Sequence, residues 1–229
     1  MKKNMAAFLF PAPTLLLLLS VCVFQPGCVG GSVQSETIQY YMPEYESPGA
    51  KTLRPLPYIL HVRLFSAAPP YRSDKMFYSD KKFKKESYNY HKWRSKPGDI
   101  ATYLLTRDLR NSALFGGVFF YDEESSASHF LSGIVDDFYG LESHDVWKAV
   151  FAISATLLAD GASDAGEKIC RQKTYRAEKE CRAKNPYALA EAMSLAISAV
   201  SEMIILDVYD CLKNEKSAKS RNNKKSENN

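Results

Sequence analysis

The chain has 229 residues, 45% of them hydrophobic and 24% charged, with a formal net charge of +4 and five cysteines. Its length suits one compact domain with a sizeable core. The basicity sits in a tail: residues 213–229 carry six cations against two acids, and with Lys2 and Lys3 set aside residues 28–212 are net −2, which argues against a polyanion-binding body and a nucleic-acid partner.

Lys2 and Lys3 precede an apolar run, Leu15 to Phe24, that stops at Gly27 and Cys28. A short positive segment followed by an apolar run of this length and a small residue reads as a secretory signal over 1–27. Cleavage after Gly27 leaves Cys28 as the mature N-terminus and lipid attachment point, and acyl chains such as palmitate, at about 0.8 kcal/mol per buried CH₂, make anchoring by more than one chain close to permanent. Gln25 and Pro26 depart from the usual lipobox, which has an aliphatic and a small residue there. The competing reading, an uncleaved anchor over Met5 to Phe24, is interrupted by Pro11 and Pro13.

Residues 28–57 combine Gly30 and Gly31 with Pro43, Pro48, Pro55 and Pro57 and read as a flexible tether. From Tyr58, alternation predicts a strand that ends before Pro69 and Pro70. Met76–Tyr78 and Phe83–Trp93 form a hairpin, with the lysines from Lys81 to Lys85 as its solvated turn. Pro97 opens a helix, ending near Leu114, whose apolar positions Ile100, Ala101, Leu104, Leu105 and Leu109 recur at helical spacing. Strands follow at Val118–Tyr121, His129–Tyr139, Val146–Leu158 and Ile169 to about Cys181, and Asn185 and Pro186 start a second helix with the stripe Leu189, Met193, Ala196, Val200, Met203 and Ile204. Glu191, Ser194, Ser198, Ser201 and Glu202 on that helix argue against a membrane span. The expected architecture is α+β, an antiparallel sheet of about five to seven strands with two helices on one face, over residues 58–212, followed by a disordered basic tail, 213–229, with anionic lipid or peptidoglycan as its conceivable contacts.

Catalytic signatures are weak. His61, His91, His129 and His144 sit in no protease or nucleophile-elbow motif, and the serine in Gly161–Gly166 has one residue too many around it and reads as a loop. Asp136 and Asp137, adjacent on a strand, are expected on opposite faces. Asp122, Glu123 and Glu124 lack the spaced ligands of a calcium loop. Cys170, Cys181 and Cys211 match no zinc spacing, with no histidine nearby in sequence. A strand over 168–183 holds Cys170 and Cys181 too far apart to bridge, leaving Cys181 with Cys211 or three reduced thiols. No enzyme, cofactor or metal is expected.

The segment Leu60 to Tyr71 (LHVRLFSAAPPY), with Asp74–Tyr78, Tyr90–Trp93, Leu104–Leu105, Ala113–Phe115, Ala190–Ser194 and the opening Tyr40–Pro43, resembles the ABC-type transport auxiliary lipoproteins, including Pqi-like ones, over roughly residues 38–206. The lipobox, the basic tail and the three body cysteines depart from that pattern. The resemblance implies an outer-membrane lipoprotein facing the periplasm that docks an MCE-domain protein fed by an inner-membrane permease and ATPase, passing phospholipid without catalytic residues of its own; Val29 after Cys28 agrees with outer-membrane sorting at the family level. The aromatic residues Tyr71, Phe77, Tyr78, Tyr90 and Trp93 are the expected partner-binding face, or else sheet core. Several copies forming a docking collar, and a structural or secretion-associated envelope lipoprotein that moves no lipid, are the alternatives.

Overall fold

A computed structural model describes residues 36–49, 53–81, 83–143, 146–160 and 168–227. The leader 1–27, the lipidation at Cys28, the Gly161–Gly166 loop and His144 lie outside the described residues. The elements are β1 (Gln39–Tyr41), β2 (Leu56–Val62), β3 (Ser66–Ala67), a 3₁₀ turn (Pro69–Tyr71), β4 (Lys75–Lys81), β5 (Lys84–Trp93), α1 (Pro97–Asn111), β6 (Phe115–Phe119), β7 (His129–Ser143), β8 (Val146–Ala159), β9 (Lys168–Glu180) and α2 (Pro186–Glu227).

The nine strands form one mixed sheet around β7. One side of β7 pairs antiparallel with β8 along its whole length, and β8 pairs likewise with β9. On the other side β2, β3 and β4 pair with β7 in turn, all parallel to it. Beyond them β6 lies parallel to β2, β5 antiparallel to β4, and β1 parallel to β5. The antiparallel sheet expected from sequence is thus corrected: only the β4–β5 hairpin and β7–β8–β9 follow chain order, while the remaining partners are chosen by burial across long sequence separations.

Alternation sets the buried face. On β8, Ala149, Phe151, Ile153, Ala155 and Leu157 point inward, and on β7 so do Leu131 and Val135, then Phe138 and Gly140. The phase changes because the ladder slips between Val135 and Asp137, leaving Asp136 as a bulge residue. Both helices cover the inward face: Ala101 and Leu105 of α1, Ile197, Val200 and Ile204 of α2 and Phe151 and Ile153 of β8 line one small cavity. At the centre, the Phe138 ring meets Trp93 and Phe151 edge-on, at 5.0 and 5.8 Å between centroids.

Pro97 occupies the first turn of α1, and Thr102 Oγ1 returns a hydrogen bond to Gly98 O while accepting one from Phe65 N. A Cβ at Gly98 would stand 2.4 Å from Phe65 O, so only glycine permits this approach of helix to chain. For α2, Asn185 Oδ1 caps Ala188 N at 2.9 Å. Although α2 is long and apolar enough to cross a membrane, 61% of its most apolar window is buried in the fold, as in a core helix.

Two boundaries differ from expectation. Residues 37–49 are docked to the body: β1 adds to the sheet, Pro43 is buried, and Glu44 N donates to Ser194 Oγ. The buried Asp108 carboxylate accepts hydrogen bonds from Tyr45 OH at 2.6 Å, Ser47 Oγ at 2.8 Å and Arg107 Nη2 at 2.8 Å. Prolines exclude helix and central strand but not an edge strand, and a buried carboxylate in need of donors supplies the rest. The expected tail is the second difference, because α2 continues to Glu227. Lys, Glu, Ala and Arg are good helix formers, so the lack of apolar residues removes packing without removing helix, and Ser217 Oγ bonds Lys213 O within the extension.

On β9, Lys173 and Tyr175 donate to Asp207 of α2 at 2.7 and 2.9 Å. Partial burial pushes the Asp207 carboxyl up, but these hydrogen bonds and the charges of Lys173 and Arg171 outweigh it and hold the group below the usual range. Such a depressed carboxyl contributes stability above the unfolded value near 4 and loses it as pH falls through the folded value. The stability difference between wild type and Asp207→Asn, measured by urea unfolding, is therefore expected to be full at pH 6 and to shrink on acidification below about pH 4. Asp108→Ala, which strands the Tyr45 and Ser47 hydroxyls, is expected to cost about 2 kcal/mol and to open the segment around 43–49 to limited proteolysis.

Candidate functional site

The expected aromatic face does not exist as one surface. Phe77 and Tyr78 are neighbours on β4 and so point to opposite faces of the sheet. Phe77 stands on the side away from the helices with Tyr71, whose ring stacks on Tyr139 at 6.3 Å. Tyr71 is 1% exposed and lies beneath Lys85, whose ammonium sits 4.8 and 4.1 Å from the Tyr71 and Tyr139 centroids. Tyr78 lies on the helix side, tilted against Tyr88 and Trp147, and Trp93 is in the core at 1% exposure. Of the five, Tyr90 alone is exposed. The set is corrected to two core residues, two partly buried sheet residues and one surface residue.

The acidic and histidine positions have structural partners. Because of the bulge, Asp136 and Asp137 share the outer face, against the expectation of opposite faces. Asp136 accepts from Ser154 Oγ at 2.7 Å and Asp137 from Arg176 at 2.5 Å. Glu123 accepts Phe120 N at 2.6 Å and pairs with Arg110; the Phe120 amide first, then Arg110, hold its carboxyl low. His61 Nε2 bonds Phe120 O at 2.7 Å, and His91 meets Tyr41 OH at 3.0 Å. Cys181 lies at the far end of β9 from Cys170, half-buried and with its thiol pushed up to about 11 by that burial. Cys211 contacts Cys170, donating to its carbonyl at 3.4 Å, so the pairing of Cys181 with Cys211 is not brought together.

What the fold does leave open is an apolar groove beside the start of α1. Met42, Leu64, Ser95, Asp99, Tyr103, Phe120 and Tyr121 line a volume of about 330 Å³. Met42, Leu64, Tyr103 and Tyr121 remain 41–50% exposed, so this apolar surface is not spent on folding. Tyr103, Phe120 and Tyr121 follow one another with 6.1 Å between successive ring centroids. The Phe120 backbone is pinned from both sides, by His61 on its carbonyl and Glu123 on its amide, which fixes the loop that presents the rings. An arginine accompanies them: Arg110 lies 5.4 Å from the Phe120 centroid. A second open pocket of about 230 Å³, lined by Phe65, Arg72, Lys96 and Gly98, shares Asp99 with the groove. Aromatic residues and arginine over apolar ground are the composition of interface cores. Sequence reasoning missed this groove, although Tyr103 stood off the apolar stripe of its helix as a bulky ring on the outward face.

Truncating the two kinds of aromatic residue is expected to separate core from surface. Trp93→Ala should cost about 3–5 kcal/mol in chemical unfolding, whereas Tyr90→Ala should stay within about 0.5 kcal/mol.

No family model and no curated protein matches the sequence. Solved structures do match. A Xanthomonas campestris protein of family DUF330 superposes with a TM-score of 0.70 at 16% identity, covering 78% of this chain and 99% of that one. An uncharacterized protein gives 0.57 at 14% identity, covering 71% and 99%. At such identities the likeness is one of fold: this chain is built like the DUF330 protein over nearly all of that protein's length.

Proposed function

We propose that the protein is a non-catalytic docking component of an MCE-type lipid transport system, held by an acylated Cys28 in the outer membrane and facing the periplasm. Its partner is an MCE-domain protein served by an inner-membrane permease and ATPase. The observation that carries this reading is the groove of Met42, Leu64, Tyr103 and Tyr121, exposed apolar and aromatic surface on a rigid ledge. The histidines at 61 and 91 are engaged in structural contacts, which agrees with binding as the role. The leader read over 1–27 and the resemblance to auxiliary lipoproteins support this compartment and partner class.

The test is affinity purification of the full chain from its own envelope, with mass spectrometry of the mature N-terminal peptide and of co-eluting proteins. An acylated Cys28 peptide and a co-eluting MCE-domain protein are expected. The double variant Tyr103→Ala, Tyr121→Ala should keep its unfolding free energy within about 1 kcal/mol, as surface substitutions do, and lose the partner. Undiminished capture by that variant would place docking elsewhere. An intact leader without any MCE partner would remove the transport reading altogether.

A further inference from the structure

Four residues from three distant parts of the chain converge at the end of β7. His129 Nε2 lies 3.0 Å from Glu215 Oε2, and with Cys170 Sγ these ligand atoms all fall within 4.8 Å of one another. Cys211 precedes Glu215 by four residues on α2, hence on the same helix face, and its thiol reaches the Cys170 carbonyl at 3.4 Å. Cys170 owes its place to a second bulge: the β8–β9 register passes from Leu157↔Arg171 to Leu158↔Ile169 and leaves Cys170 unpaired in the ladder. Bulges of this kind re-aim a side chain.

The ring of His129 is held in place from its other side. Ser128 Oγ donates its proton to Ile59 O at 3.0 Å and accepts Ile59 N at 3.1 Å. His129 Nδ1 lies 3.0 Å from that same oxygen, and the contact holds the orientation of the ring. His129 is 2% exposed, and its Nε2 lies at hydrogen-bond distance from the Glu215 carboxylate, inside the fold rather than in water. A hydrogen bond between Nε2 and Glu215 accounts for that pair alone; Cys170 Sγ beside it, and Cys211 one helical turn before Glu215 with its thiol against Cys170, add sulfur donors to the same cluster.

We propose that His129, Cys170, Cys211 and Glu215 form a binding site for a zinc-class divalent cation that ties β7 and β9 to α2. The mixed nitrogen, sulfur and oxygen donor set is that of tetrahedral zinc. The Ser128 contact plays the orienting part that an outer hydrogen bond usually plays for a ligating histidine. Zinc bonds of 2.0–2.3 Å set ligand atoms about 3.5 Å apart, so the cluster must contract by about 1 Å, within the reach of cysteine side-chain rotation. Burial, then Cys211 and Glu215, push the Cys170 thiol up, so the resting thiol is protonated and each cysteine that ligates releases one proton to solvent as the ion binds.

The experiment titrates the reduced, metal-stripped full chain with Zn²⁺ and, separately, with Co²⁺. One equivalent of Zn²⁺ with a raised unfolding temperature, and a thiolate-to-cobalt charge-transfer band with Co²⁺, are expected. Cys170→Ser and Glu215→Gln should each weaken Zn²⁺ binding by about tenfold or more. Glu215 is on the surface side of the cluster, so its variant folds even where substitution at His129 does not. Failure of the reduced chain to bind either ion would overturn the proposal. So would Zn²⁺ binding left unchanged in both variants, or an imidazolium signal from His129 by NMR that added metal does not alter.

Discussion

Everything in this fold is arranged around one strand. β7 is long enough to carry β8 along one side while β2, β3 and β4 take successive stretches of the other. A strand shared this way must present apolar side chains to the helices through its whole length, yet it twists and bends as it goes. The bulge at Asp136 meets both demands. It resets the inward phase from Leu131 and Val135 to Phe138 and keeps two adjacent carboxylates on the solvent side, where Ser154 and Arg176 satisfy them. Without the slip, one half of β7 would turn its core side chains to water.

Local pattern made the long elements legible. The alternation in 129–139 and 146–158, the proline start of α1 and the Asn–Pro start of α2 were each readable, because periodicity and caps depend on neighbours in sequence. Strand partnership was not. Nothing within β2 or β4 records that its neighbour is β7, tens of residues later, since parallel pairing is decided by burial against the whole sheet. The same limit hid the docked segment, where Tyr45 and Ser47 find Asp108 across more than sixty residues of chain.

The site was less legible than the fold. Aromatic density pointed to Tyr71 and Trp93, but large rings are also what cores consume, and those two are the most deeply buried of the set. The exposed rings Tyr103 and Tyr121 stood in an ordinary helix and a short loop. Cysteine arithmetic compared spacings along the chain, whereas His129, Cys170, Cys211 and Glu215 are united only by a bulge, a helix turn and a strand start. The continuation of α2 to Glu227 escaped for a different reason: a polar composition was equated with disorder, although helix propensity and packing are separate quantities.

The docking of residues 37–49 bears on the mechanics of the anchor proposed at Cys28. With β1 paired to β5 and Tyr45 locked on Asp108, residues 29–36 are the stretch of sequence between Cys28 and the docked segment. Nine residue steps of extended chain span at most about 30 Å. With Cys28 acylated as proposed, a leash of that length would hold the domain at the membrane face, and the proposed partner would have to bridge the remaining gap.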